Sequence, residues 1–141
     1  MFILDTNVIS EQRRIGSARE NPNVAAWTNM VAREMAYISV VTVRELETWI
    51  LLRARRDPDQ GKLMRRWFEE SVLPAFQTRI IDIDQVIARC CAGLYVPNPR
   101  PLGDSLIAAT ALVHGLTVVT RNTSDFAPMG VKLLNPWEPQ G

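Results

Sequence analysis

A chain of 141 residues, 47% hydrophobic and 22% charged, is long enough to bury one core without disulfide or metal staples and too short for two ordinary domains. No apolar run approaches the ~20 residues that cross a bilayer, and no basic segment followed by an apolar stretch and a cleavage site opens the chain. The expectation is a single water-soluble domain over residues 1–141, cytoplasmic and without a membrane partner; the formal net charge of +1 means that any polyanion must be held by a local patch.

Met1-Phe2-Ile3-Leu4 is a short apolar run that ends in Asp5, followed by Thr6 and Asn7, two small polar residues able to cap a helix. It predicts a buried first strand whose carboxyl end delivers an aspartate into the crevice where open α/β sheets bind ligands. A short helix over about 7–14 follows. A second helix opens at Pro22 and presents Val24, Ala25, Trp27, Met30 and Val31. Residues 36–41 are a β-rich run, and Thr42 stands where it would cap a long helix through Val43, Leu46, Trp49, Ile50 and Leu51. Asp57-Pro58-Asp59 interrupts that pattern. A further helix over about 60–73, with Leu63, Trp67 and Phe68 apolar, completes a helical hairpin over about 42–76.

Residues 79–83 are the third strand candidate, and Asp84 caps a helix with Val86, Ile87, Cys90, Cys91 and Leu94 on its apolar face. Adjacent cysteines cannot bridge without straining the backbone, so both read as small core hydrophobes. Pro97, Pro99 and Pro101 enforce an extended loop before an alanine-rich helix from Leu102 to His114, closed by Gly115. Residues 116–120 are the clearest strand, residues 131–134 a last short one, and the stretch from Asn135 reads as a terminal tail. Continuously apolar strands that alternate with helices predict a three-layer α/β/α fold with a mainly parallel sheet of about five strands.

Four acids fall where such a fold would use them. Asp5 ends the first strand, Glu45 lies in the first turn of the helix after the second, Asp104 opens the alanine-rich helix, and Asp125 sits in the loop after the fourth strand. Asp104 shares a stripe with Ala108 and Ala111, whose small side chains let that face approach the sheet. Two carboxylates ~5 Å apart repel by roughly 3 kcal/mol at an effective dielectric near 20, about two pKa units. Four together call for protons or a cation. A hard divalent ion with oxygen ligands, Mg²⁺ or Mn²⁺, suits such a set better than zinc, because the chain has one histidine. Such a site suits metal-assisted phosphodiester hydrolysis. Taken singly, each acid has a plainer reading: Asp5 as a helix cap, Glu45 and Asp104 as first-turn acids favoured by the helix dipole, Asp125 as a turn former. The lone His114 excludes two-histidine ribonuclease chemistry, and no Gly-x-Ser-x-Gly occurs.

Read together, Leu4-Asp5-Thr6-Asn7-Val8-Ile9-Ser10, Val43-Arg44-Glu45-Leu46, the run from Asp104 to Ala111 and the run from Thr120 to Phe126 resemble the PIN-domain ribonucleases, specifically the VapC and FitB group of bacterial toxin–antitoxin toxins. The resemblance spans almost the whole chain. It implies that Asp5, Glu45, Asp104 and Asp125 form the family's acidic quartet holding Mg²⁺ or Mn²⁺, and that Thr6, Thr120 and Asn122 occupy its accessory polar positions. It also implies a parallel sheet with the first strand central and the fourth beside it, endonucleolytic cleavage of RNA, a cognate antitoxin as partner, and homodimers that form higher assemblies with it.

Arg53, Arg55, Arg56, Lys62, Arg65 and Arg66 cluster on the hairpin, as guides for RNA phosphates or as a solvated face with local ion pairs. Trp27, Trp49 and Trp67 read as core or subunit-interface anchors. Two other functions compete. A catalytically silent module would use the acidic groove to receive a basic partner segment. A phosphoacceptor protein would use Asp5, but a second acid two residues on and a suitably placed lysine are both missing.

Overall fold

The first strand runs into the core, with Ile3 and Leu4 fully buried, as its apolar residues predict. In the computed structural model, which describes residues 1–141, β1 (Phe2–Leu4) is followed by α1 (Thr6–Gln12), α2 (Pro22–Met30), β2 (Ala36–Ser39) and α3 (Val40–Arg56). Next comes α4 (Pro58–Trp67), which runs through one wide π turn at Phe68–Val72 into α5 (Leu73–Ala75) and then β3 (Ile80–Ile81). The second half comprises α6 (Gln85–Tyr95), α7 (Leu102–His114), β4 (Thr117–Val119), α8 (Thr123–Phe126) and β5 (Leu133–Leu134).

All five strands are parallel, in the order β3-β2-β1-β4-β5. Both faces are covered. Leu4, Ile38 and Val119 pack with α1 to α5, whereas Ile3 and Val118, one residue out of phase, pack with Ile107, Ala108 and Ala111 of α7 and with Phe126. That alternation is why the strands read as continuously apolar: each parity has its own core. Cys91 is buried with Ile87 and Ala109 between α6 and α7, and both cysteines are free thiols. No helix is long and apolar enough to cross a membrane.

Several boundaries differ from the sequence expectation. Ser39, not Thr42, caps α3: its hydroxyl accepts from Val41 N–H at 3.0 Å. Val40 and Val41 therefore leave the strand for the helix despite their β preference, since a satisfied N-cap and a buried helix face outweigh side-chain propensity. Glu45 moves into the second turn as a result. On the hairpin Phe68 is buried and Trp67 packs on the core as expected, but Met64 is buried where Leu63 was expected, and Leu63 is exposed. The tail is also less free than expected, because Trp137 packs on the core beside α2 and its carbonyl accepts from Asn23 Nδ2 at 2.7 Å.

Gly61 explains how the hairpin closes. A Cβ there would stand 2.6 Å from both Cα and Cβ of Ala54 on α3, so α3 and α4 meet at backbone distance. Helix propensity alone favours alanine at this mid-helix position by ~1 kcal/mol, but separating two packed backbones costs about 1–3 kcal/mol. Gly61→Ala is expected to lower the urea midpoint of unfolding. A midpoint above that of the parent chain would mean that propensity wins and the close approach is slack.

Candidate active site

Register brings the site together. Leu4 stands opposite Val119, so Asp5 and Thr120 leave adjacent central strands at the same edge, and Asp5 N–H donates to Val119 O at 2.9 Å. Asp5 is buried. One carboxylate oxygen accepts from Thr6 N–H at 2.8 Å; the other accepts from Thr120 Oγ1 at 2.8 Å and from Asn7 Nδ2 at 3.3 Å. The capping role and the site role thus belong to one residue. Burial pushes Asp5 above the ordinary aspartate range, against those hydrogen bonds and with help from Glu45 and Asp125.

Glu45 is held from two sides. Thr6 Oγ1 lies 2.5 Å from Glu45 Oε1 and 3.2 Å from Thr42 Oγ1, so the threonine expected to cap α3 instead sits under the site, fully buried. On the far side Oε2 rests against the start of α7: a Cβ built on Gly103 would come within 3.2 Å of it. The glycine is what lets the α3 carboxylate lie beside Asp104.

Asp104 is half-buried and raised to about 6, by loss of hydration first, then by repulsion from Asp5, Asp125 and Glu45. Each of the other three acids is therefore near enough to disfavour its charge. Ala108 and Ala111 are buried against the sheet, as the small-residue stripe predicts. Asp125 lies on the short α8 rather than in a loop, and its N–H donates to Asn122 O at 3.1 Å. Asn122 N–H in turn donates to Thr120 Oγ1 at 3.0 Å, so Thr120 ties the α8 approach to Asp5. The Asn122 and Asp125 side chains are exposed at the rim.

Asp5, Glu45, Asp104 and Asp125 thus share one edge of the sheet, with Thr6, Thr120 and Asn122 beneath and beside them. As the side chains stand, no three acids close on a single point tightly enough to grip one ion. The donor chemistry nevertheless fits a hard divalent cation: only oxygen ligands, two of them held by hydrogen-bonded threonines, and a mutual repulsion that bound positive charge would reverse. Sequence reasoning missed Gly103, Thr42 and the clamp made by Asn7. Gly103 carried a signal, a glycine in the first turn of a helix beside an acid. Thr42 was disguised as a cap.

Residues 2–131 match the family model described as the PIN domain. The chain is 37% identical to the VapC ribonuclease Y4jK of Sinorhizobium fredii, with 99% of each chain covered. It is 36% identical to toxin FitB of Neisseria gonorrhoeae, over 97% of this chain and 99% of that one. The crystal structure of FitAcB from Neisseria gonorrhoeae superposes with a TM-score of 0.87 at 35% identity, covering 97% of this chain and 99% of that chain.

Proposed function

Because the chain belongs to the PIN-domain family, in the group of the VapC and FitB toxins, we propose that it is a Mg²⁺- or Mn²⁺-dependent endoribonuclease and the toxin of a toxin–antitoxin pair. The observation that carries this reading is the convergence of four carboxylates on one edge of the sheet: Asp104 is raised to about 6, by burial first and then by repulsion from Asp5, Asp125 and Glu45. Such crowding destabilises an unliganded chain, and a site for a divalent ion gives it a use.

Asp5 and Asp104 would hold the ion, with Glu45 and Asp125 completing its shell directly or through water. When bound, the ion activates a water and offsets charge on the phosphate. The protein supplies the rest. Thr120 and Thr6 N–H fix the Asp5 carboxylate, Thr6 Oγ1 fixes Glu45, and the exposed Asn122 side chain would meet a phosphate oxygen. Toxicity is the property named for the relative FitB; a chain that cuts its own cell's RNA has to be made alongside a neutralising partner. We assign that role to a cognate antitoxin in the cytoplasm, with the toxin as a homodimer that joins a higher assembly with it.

Incubating the purified chain, freed of any partner, with transfer RNA and Mg²⁺ or Mn²⁺ tests the proposal. Cleavage that starts with the ion and stops with chelator is expected; cutting that ignores chelator rejects the metal-dependent scheme. Gly103→Ala gives a finer check. The added methyl must displace Glu45 Oε2 by a few tenths of an ångström, which is expected to cost about tenfold in cleavage, or ~1.4 kcal/mol, at an unchanged melting temperature. Full activity in that variant would show that Glu45 is not positioned by α7.

A further inference from the structure

Next to the acids lies a feature of opposite sign that they do not use. A cleft of about 550 Å³ opens between the end of α1, α3 and the segment after β4, and its walls carry five arginines against one acid, Glu11. That acid's Oε2 lies 3.6 Å from Arg14, too far for a hydrogen bond, and is buried without a donor. Arg13, Arg53 and Arg121 have no carboxylate partner, and Arg53 Nε is buried without an acceptor. Burial and the nearby Arg53 and Arg14 push the Arg13 guanidinium below its usual range, a cost that an incoming anion would relieve.

Two of these cations are stacked rather than loose. Arg13 lies over Trp67 at 5.9 Å and Arg121 over Trp137 at 5.3 Å. A guanidinium stacked on an indole keeps its N–H edge free for a bidentate phosphate contact. The cleft also joins the acids directly: Asn7 lines it and clamps Asp5, while Arg121 N–H donates to Asn7 Oδ1 at 3.4 Å. A second depression of about 560 Å³ shares Trp49 and Arg53 and continues past Arg55 and Arg56. The hairpin cations are therefore divided. Arg65 is already paired with Glu47 and Glu69, and Lys62 and Arg66 face solvent on α4.

We propose that the arginine cleft through Arg13, Arg53 and Arg121, and not the exposed face of α4, is the track that holds single-stranded RNA on one side of the scissile phosphate. This rests on the ribonuclease reading above. Trp49, partly exposed in the same wall, favours RNA over an acidic peptide, because an indole face stacks on any base whereas oligoglutamate gains nothing from it.

The test is equilibrium binding of a fluorescent 12-nucleotide single-stranded RNA to the full chain carrying Asp104→Asn, which prevents cutting. Adding Arg13→Gln and Arg53→Gln is expected to weaken binding by about tenfold or more and to reduce the log–log salt slope by about 1.4, two phosphate contacts at ~0.7 each. Lys62→Gln with Arg66→Gln is expected to change affinity less than about twofold. In the cutting chain the arginine losses fall on KM rather than kcat. Should the glutamine pair unfold, Arg13→Lys with Arg53→Lys keeps the charge and removes the forks, and weaker binding at the parental slope is the supporting result. Equal affinity for parent and arginine variants, a larger effect from the α4 pair, or displacement of RNA by oligoglutamate at matched charge overturns the proposal. The two readings fail separately. Arginine-dependent binding in a chain that never cuts RNA leaves the track standing and removes the nuclease, and cutting indifferent to the arginines does the reverse.

Discussion

Asp104→Asn is expected to reduce RNA cleavage by on the order of a thousandfold, about 4 kcal/mol of transition-state stabilisation, while making the folded chain more stable. The substitution keeps shape and removes one charge from the group that feels Asp5, Asp125 and Glu45 together. Activity falls because the amide is a far poorer ligand for a hard cation. Stability rises because a repelled, partly desolvated carboxylate has gone; a gain of about 1 kcal/mol would appear as a melting shift of roughly 3 °C in a domain of this size. Asp5→Asn shares the loss of activity but not the gain. Its carboxylate is anchored by Thr6 N–H and Thr120 Oγ1, so the amide must keep its oxygen toward Thr6 and turn its NH₂ toward the threonine hydroxyl, which then has to accept. Cleavage assays and melting curves on both variants decide the matter. If Asp104→Asn cuts at the parental rate or melts lower than the parent chain, the four acids do not act as one electrostatic unit.

How much of this was legible beforehand depends on the kind of signal involved. Asp5 was legible because a strand that ends in Asp-Thr-Asn changes polarity in one step, and the parallel register that puts Leu4 opposite Val119 then brings Thr120 to it. Asp104 was legible through the Ala108 and Ala111 stripe. Glu45 was assigned to the right edge one turn too early, because Val40 and Val41 look like strand residues and their helical state is set by the Ser39 cap. The helical hairpin was seen with Phe68 on its buried face, but Met64 takes the place expected of Leu63 and the closure was not seen, because the approach of Gly61 to Ala54 is a contact between two helices that neither pattern shows alone. The arginine cleft was illegible for the same reason. Arg13, Arg53 and Arg121 come from three separate segments, and only the sheet order places them side by side.

With divalent ions chelated, the chain is expected to lose stability as the pH rises from about 4 to about 7, and Mg²⁺ or Mn²⁺ is expected to restore it at the upper end. Asp104 holds its proton up to about 6 in the folded chain, against 3.8 for a free aspartate, so between those values the folded state binds more protons than the unfolded one. Stability then falls with rising pH. The penalty is absent below about 4, where both states are protonated, and complete above about 6. Asp5 is raised as well and acts with the same sign. The shift taken whole would be worth about 3 kcal/mol, but Asp104 is only half-buried, and solvent screening brings its share to about 1–2. Glu47, lowered by Arg65, acts with the opposite sign as a surface pair and counts for less. An ion bound at a hundred times its dissociation constant adds about 2.7 kcal/mol, a melting shift of roughly 8 °C at pH 7. That shift should shrink at pH 5, where protons compete for the same oxygens, and Asp104→Asn should remove most of it at both. A melting temperature that climbs steadily from pH 4 to 7 in chelator, or an ion effect of equal size at pH 5 and 7, would place the binding of the ion somewhere other than these carboxylates.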